Sequence, residues 1–528
     1  MKTPRYLVPF DVRRLPWRTA DVLIVGGGVA GLRAAIEAGR RSRVVLAVKR
    51  GRTDSNTQWA QGGVAAALDR GDSIRSHVED TIGAGKGIAD ERVVRTVIRE
   101  GALRVRELME WGTRFDRERG AIRFAREGGH SRARILHAHG DATGAEIARA
   151  LLEKVRAEPN IVVLEHTFVL DLLTRDGRCV GAIAAGPDGQ LQGIAAPRTI
   201  LATGGIGQLY RETTNPDVAT GDGLAMAHRA GARLEDMEFV QFHPTALYIA
   251  GAARALISEA VRGEGALLRD RLRRRFMPDY HPDAELAPRD TVSRSIVRQM
   301  RATDDTQVYL DLSHLPGAQV RKRFPGLVAL CRTYGLDIAR DPIPVRPAAH
   351  YHVGGIQIDL RGRTSLPGLW AAGECACAEF HGANRLGSNS LLEGLVFGTR
   401  AAQDAVRQKL PEVRTPPAVS FRRTARALPP ALDLADVRAS LKAVMWREVG
   451  VERQADGIER AIQAIDFWKR YILPCVFESP AGWELQNMLE VSGLLAGAAL
   501  ARQESRGTHH RVDFPETDDA KWKRHQIL

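Results

Sequence analysis

Short unbroken apolar runs and longer stretches at helical spacing follow one another along this chain, and their order predicts an α/β protein. Asp21 to Val25 (DVLIV) is an apolar run ending in three glycines, and VAGLRAAIEAGR behind it has the composition and spacing of a helix. A second apolar strand, Val44 to Val48, completes a strand–turn–helix–strand unit. Helical patterns are expected near 90–111 and 143–157, separated by loops rich in Gly and charge. Loops of that length usually serve function or form lids. The stretches Val162 to Leu173 and Arg178 to Ala185, with DGR and PDGQ turns, suggest antiparallel hairpins before the strand TILAT at 199–203.

From about 241 the chain changes character, with many Arg, Pro and Asp and a short strand at VYLDL. GLWAAGE at 368–374 and the helical segment Ser390 to Val406 then look like a return to the first unit. RTPPAVSFRRTARALPPALD reads as a Pro-rich linker. Three helical patterns at about 434–449, 451–471 and 481–505 suggest a small antiparallel bundle, followed by an irregular tail from Gly507. The expected division is an N-terminal arm at 1–19, a dinucleotide-binding domain at 20–240 and 346–412, and an inserted domain at 241–345. A linker at 413–433 and a helical domain with its tail at 434–528 complete it.

At 528 residues the length predicts about three or four domains of roughly 150 residues. With 44% hydrophobic and 26% charged residues, the composition excludes a mostly disordered or fibrous chain. The net charge of +13 comes mostly from scattered Arg, which fits a solvated surface or an acidic small substrate better than a nucleic-acid patch. No apolar stretch approaches the ~20 residues of a membrane span, and the first residues lack the apolar core of a signal peptide. Cys179, Cys331, Cys375, Cys377 and Cys475 form no CxxC pair and no disulfide framework. A reducing cytoplasm is the expected location, with neither nucleic acid nor membrane as partner, and no His/Cys cluster suggests a metal. Trp446, Trp468 and Trp483 lie in the C-terminal helices and read as packing residues.

The candidate chemistry begins at Gly26, Gly28 and Gly31, a GxGxxG at the strand-to-helix turn. The first glycine permits the tight turn, the second lets backbone approach a pyrophosphate, and the third lets helix pack on strand. The acid that would bind a ribose near the end of the second strand is missing, because Lys49 stands there, which weakens NAD as the cofactor. ILATGG at 200–205 resembles the second dinucleotide strand of two-dinucleotide-domain flavoproteins. GLWAAGE resembles their third FAD motif, and three such motifs in this order indicate FAD.

The blocks SNTQWAQGGVAAAL (55–68), NPDVATGDGLAMAHRAGA (215–232), EFVQFHPTAL (238–247), SEAVRGEGALL (258–268), ELAPRDTVSRSI (285–296) and HGANRLGSNSLLEGLVFG (381–398) extend the resemblance. Together they resemble the flavoprotein subunits of succinate dehydrogenase and fumarate reductase, and more closely the soluble L-aspartate oxidases, from about residue 20 to 510. The resemblance implies a Rossmann-like FAD-binding domain, an inserted α+β capping domain and a C-terminal helical bundle, with substrate between cap and FAD domain. It places FAD along Gly26, Gly27, Gly28, Val29, Ala30 and Gly31, at Lys49, and along Ser55, Asn56, Thr57, Ala60, Gln61, Gly62 and Gly63. Asp222, Glu374, Ser390 and Leu391 complete the implied cofactor set. Where succinate dehydrogenases carry the histidine that bonds FAD covalently this chain has Asn56, so FAD is expected to be noncovalent and succinate oxidation is disfavoured.

For the substrate, the resemblance implies that His243, Thr245, His350 and Arg385 hold carboxylates, a task for which the planar guanidinium fork is suited. Arg289 matches the proton donor of fumarate reduction, with Glu259 and Arg262 as its relay to solvent. An arginine acid is physically awkward and requires neighbouring cations and desolvation to favour the neutral form. Glu264 belongs either to that network or to the scaffold. Glu127 in REGGHS occupies a place usually uncharged, often Phe, in the succinate and fumarate enzymes. A carboxylate there repels a plain diacid and suits an α-ammonium.

The expected activity is FAD-dependent oxidation of L-aspartate to iminoaspartate, with dioxygen or fumarate as acceptor, giving hydrogen peroxide or succinate. In the family this is the first step of de novo NAD synthesis through quinolinate, and transient contact with quinolinate synthase is an open expectation. A soluble fumarate reductase shares every dicarboxylate residue and is the alternative. A flavin-bearing electron-transfer subunit, active only in an obligate complex, is a reading of a different class.

Overall fold

The computed structural model describes residues 3–252, 254–411, 413, 420–423 and 432–528. Most of the expected Pro-rich linker lies outside them. At the centre is a parallel five-stranded sheet in the order Ile161–Leu164, Val44–Ala47, Val22–Val25, Thr199–Leu201, Leu369–Ala371. All residues of Val22–Val25 and Val44–Ala47 are buried, as a parallel strand covered on both faces demands. Helices Val29–Gly39 and Asn389–Arg407 pack on it and on each other, and Glu91–Glu110 packs on the latter. Glu91–Glu110 shows why this sequence is helical. Asp90 accepts the Val93 N–H at 2.8 Å as its N-cap, and Val94, Val97, Ile98, Gly101, Ala102, Val105 and Leu108 form one buried stripe at helical spacing.

The stretch Val162 to Leu173, expected to belong to antiparallel hairpins, is two strands with different partners, only the second of them in a hairpin. Ile161–Leu164 is the edge of the parallel sheet, and Phe168–Arg175 pairs antiparallel with Arg178–Ala185. The turn between the latter pair has Asp176 and Gly177 at φ 51 and 70, the left-handed pair that a two-residue hairpin favours. The N-terminal arm joins the same four-stranded sheet, because Trp17–Thr19 pairs parallel with Leu191–Ala195. Its other short strand, Phe10–Asp11, pairs with Ser420–Phe421.

A separate antiparallel sheet, in the order Val240–Leu247, Ile343–His352, Val308–Asp311, Leu267–Arg269, carries its own apolar cluster around Leu268, Phe276, Ile296 and Leu310. This is the layer expected as the cap, and its two longest strands, Val240–Leu247 and Ile343–His352, carry His243 and His350. Helices Leu434–Glu448, Ala455–Ile472 and Pro480–Ala501 pack together, the last also against Asp222–Arg229. The third ends at Ala501 rather than 505, and the tail after it folds back over the body. The Leu528 N–H donates to Leu234 O at 2.8 Å, and Arg511 is almost fully buried. Among the described residues no helix is long and apolar enough to cross a membrane.

Candidate active site

A single cleft runs from the C-terminal ends of the parallel strands to the underside of the capping layer, where ligands of open α/β sheets bind. The space between its walls, with the solvent-open mouth included, is about 1800 Å³.

The floor is the glycine turn. Gly26 has φ 114, and a Cβ on it would meet Ala202 O at 2.1 Å; a Cβ on Gly31 would meet Gly26 O at 2.0 Å. Both positions are closed to any side chain. Gly31 accordingly does not line the cleft but lets helix lie on strand. Gly28, by contrast, has only Thr57 Oγ1 within reach of an added Cβ and faces the open space. It is the N-cap of Val29–Gly39 and supplies no side-chain cap, which leaves a helix N-terminus turned to the cleft. The Val29 N–H is already held by Thr57 Oγ1 at 2.9 Å.

Lys49, standing where a ribose-binding acid was expected, is neutralised by Asp222 Oδ2 and Glu484 Oε1, each 2.8 Å from its ammonium. Asn487 donates to the other Asp222 oxygen at 2.8 Å. Asn56 Nδ2 donates to Glu374 Oε2 at 3.0 Å, while Asn56 Oδ1 is buried without a partner. Burial pushes the Glu374 carboxyl up to about 7.

Beneath the cap the cleft becomes cationic. Arg385 donates to Gln241 Oε1 at 2.9 Å and Ser390 Oγ at 3.1 Å, stacks 4.4 Å over the Tyr351 ring, and keeps a buried Nε without partner. Burial and the charge of Arg289 bring its pKa down to about 10. The His243 and His350 rings lie 5.3 Å apart. Burial and the nearby arginines push both imidazoles well below their usual value, so they stand neutral. Arg289 Nε donates to Glu259 Oε2 at 2.6 Å, and Arg262 stands 3.3 Å from Glu259 Oε1. Burial alone would lower the Arg289 pKa, yet Glu259 and Glu127 raise it overall. The condition set for an arginine acid is therefore not met by the protein's own charges at Arg289, although burial does lower Arg262.

Glu127 is buried in the same wall. Its Oε2 accepts from Ser388 Oγ at 2.7 Å, and an added Cβ on Gly387 would fall 2.8 Å from Arg289 NH2 and 3.0 Å from Glu127 Oε2. Any side chain at 387 would thus wedge between the carboxylate and the guanidinium. Ser388 itself is held at φ 60, a left-handed strain that the hydroxyl contact accompanies.

The matches to known proteins agree with this geometry. A family described as an FAD binding domain covers residues 21–391, and one described as the fumarate reductase flavoprotein C-terminus covers 478–528. Among solved structures, the FrdA subunit of E. coli quinol fumarate reductase, in a glutamate-to-glutamine variant, superposes with TM-score 0.89 at 32% identity, covering 97% of this chain and 94% of that one. Mycobacterium smegmatis Sdh1 superposes with TM-score 0.84 at 35% identity, covering 97% and 92%. The sequence of L-aspartate oxidase from Streptomyces coelicolor is 44% identical across 96% of this chain and 91% of its own. That from Agrobacterium fabrum is 46% identical across 97% and 95%. The chain belongs to the L-aspartate oxidase family.

FAD is the cofactor of this family fold, and the residues present fit it. The side-chain-free Gly28 and open helix N-terminus suit a pyrophosphate, and Lys49, Asp222, Glu374 and the orphaned Asn56 Oδ1 offer polar partners along the cleft. Val29, Ala30, Gly27, Ser55, Thr57, Ala60, Gln61, Gly62, Gly63, Ser390 and Leu391 also line it, as do Glu127, His243, Glu259, Arg289, His350 and Arg385. Arg262 and Thr245 stand behind the wall. Arg262 is buried against Glu259, and Thr245 donates its hydroxyl to Ile257 O at 2.9 Å and its N–H to His243 Nδ1 at 3.3 Å. Glu264 belongs to the scaffold, since it is half-exposed and pairs with Arg323.

Four residues escaped the sequence reading. Gln241 both braces Arg385 through its oxygen and donates to Arg385 O and Asn384 Oδ1, each at 2.8 Å. It lies two positions from His243 on the same strand, so strand alternation was the signal for it. Ser388 fixes Glu127 and sits between Arg385 and Ser390, both already singled out. Thr214 Oγ1 lies 2.9 Å from His350 Nδ1, and Tyr351 underlies Arg385; neither carried a signal.

Proposed function

We propose that the protein oxidises L-aspartate to iminoaspartate with noncovalent FAD, and passes the electrons to dioxygen, giving hydrogen peroxide, or to fumarate, giving succinate. The observation that carries this reading is the burial of Glu127 in the wall of a cleft otherwise furnished for two carboxylates. Arg385 with His350 holds one carboxylate, while His243, in front of Thr245, holds the other. Glu127 receives the α-ammonium, which the arginines repel and to which the neutral histidines offer no opposite charge. FAD when bound supplies the hydride acceptor. Arg289 exchanges the proton at the substrate carbon, with Glu259 and Arg262 behind it, and the carboxylates that raise its pKa keep it in the protonated form from which a proton can be given to carbon. Asn56 offers no imidazole for a covalent link and is taken as a hydrogen-bonding contact.

The product is the imine consumed in quinolinate formation, which gives the chain a place at the start of de novo NAD synthesis, with transient contact to quinolinate synthase. A cytoplasmic location goes with that role. The second reading, a soluble fumarate reductase, is favoured by the shared arginine and histidine set and by the FrdA superposition. Peroxide release by the purified holoprotein decides between them: it should be sustained with L-aspartate and negligible with succinate. No peroxide from aspartate, alongside vigorous fumarate reduction, would favour the second reading.

A further inference from the structure

Behind Glu127, on the side away from the cleft, lies a buried histidine that none of the roles above uses. His137 follows the strand Ile135–Leu136, which pairs with Phe124–Ala125 two residues before Glu127. Its ring is buried, and neither Nδ1 nor Nε2 has a hydrogen-bond partner. Buried imidazole nitrogens normally find partners, so a ring without one calls for a reason. The carboxylate beside it is Glu127: Nε2 lies 4.0 Å from Oε1, the oxygen that Ser388 leaves free. A sub-ångström shift, or one water, would close that gap to a hydrogen bond.

We propose that His137 is a positioning and proton-holding residue behind Glu127, taking through that carboxylate the proton that the substrate ammonium must lose before its carbon can be oxidised. The inference rests on Glu127 reading the amino group. In the step, one N–H bond of the α-ammonium breaks and its electron pair stays on nitrogen as the lone pair of a neutral amine. The proton passes to Glu127 Oε1, which hands a proton to Nε2, so Glu127 ends ionised and His137 ends as imidazolium. No oxidant is involved. The lone pair so released is what the forming C=N bond requires. Fumarate carries no ammonium, and its reduction has no use for this proton path.

The surroundings suit a ring that is neutral at rest and accepts a proton transiently. Burial lowers the His137 pKa, Glu127 and Asp116 act to raise it, and Arg323 and Arg123 act to lower it. Asp141 also faces His137, with a carboxyl that burial raises. On the far side of Glu127 stands His130, bonded to Gly387 O and Arg134 and thus already committed.

The test measures kcat/KM for aspartate and for fumarate against pH in the holoprotein, in His137→Gln and in His137→Phe. Wild-type aspartate oxidation should lose rate on the acidic side as His137 becomes protonated, and fumarate reduction should show no such limb. His137→Gln can bond Glu127 but cannot hold a proton. It should keep the aspartate KM within about threefold, lose about 100-fold in kcat, and lose the acidic limb. His137→Phe should raise KM as well, and both variants should retain FAD and fumarate turnover. A His137→Gln enzyme with near-normal aspartate kcat and an unchanged limb overturns the proposal. So does an equal loss with fumarate, which would make His137 a packing residue. If both variants fail to fold, a wild-type profile with the same acidic limb for both substrates overturns it, and a limb confined to aspartate sustains it. Glu127→Gln separates the layers. If it spares aspartate relative to fumarate, the underlying reading of Glu127 has failed; if it does not, while His137→Gln is silent, only the relay has.

Discussion

At the scale of single residues, the chemistry of each group in the cleft is set by its immediate neighbours. Arg289 is held as a cation by Glu259 and Glu127, so Arg289→Lys keeps the charge but loses the fork and the Nε contact. It should lower fumarate turnover by ~100-fold or more at unchanged FAD content; near-normal turnover would mean the proton comes from elsewhere. Asn56 offers a carboxamide toward Glu374, so acid precipitation should release FAD to the supernatant, and yellow colour retained in the washed pellet would contradict noncovalent binding. The residues legible in the sequence were those that stand in long motifs and have few bland uses there, such as His243, Arg289 and Arg385. Gln241, Ser388, Thr214 and His137 were not, because Gln, Ser, Thr and His serve hydrogen bonding throughout a protein. Each takes its meaning from the partner it meets in the fold.

At the scale of elements, the glycine turn separates two demands that one motif conceals. Gly31→Ala forces the Val29–Gly39 helix off its strand, since the new Cβ would stand 2.0 Å from Gly26 O. Gly28→Ala meets only Thr57 Oγ1, at 3.3 Å. The first should therefore lower the melting temperature of the apoprotein, by an overpacking cost of about 1–3 kcal/mol. The second should leave apoprotein stability in place and weaken FAD binding, which titration of apoprotein with FAD would read as a tenfold or greater rise in Kd. Equal melting temperatures for the two variants would refute this division of labour. Strand–glycine–helix units were readable from sequence because their signal is local. The run from 162 to 173 was not, because apolar period alone cannot tell a parallel edge strand from the first arm of a hairpin, and here one run supplies both.

At the scale of the whole molecule, the tail is tied to the segment just ahead of the strand that carries Gln241 and His243. His525 Nδ1 lies 2.6 Å from Asp236 Oδ2, and Leu528 pairs with Leu234. Burial would push the His525 imidazole down, but the hydrogen bond and charge of Asp236, with Glu379 and Glu235 nearby, raise it to about 9. A raised histidine pKa stabilises the fold fully below the unfolded value of about 6.5, and that contribution is lost as pH rises through about 9. The wild type should therefore lose up to about 3 kcal/mol more than His525→Gln between these limits, seen as a steeper fall in melting temperature. Parallel curves would deny the latch. Contacts so distant along the chain leave no pattern in either segment, so the expectation of an irregular tail missed its docking.

All three scales meet in the claim that Glu127 turns a dicarboxylate cleft into one for L-aspartate. The most direct measurement is the ratio of aspartate oxidation to fumarate reduction in a single preparation of Glu127→Gln, which cancels differences in FAD loading. Leaving a buried ammonium without its mate costs on the order of 2–4 kcal/mol, so kcat/KM for aspartate should fall about 30- to 1000-fold while fumarate reduction holds or improves. Equal losses for the two substrates would contradict the account and show that Glu127 supports its loop instead of reading the amino group.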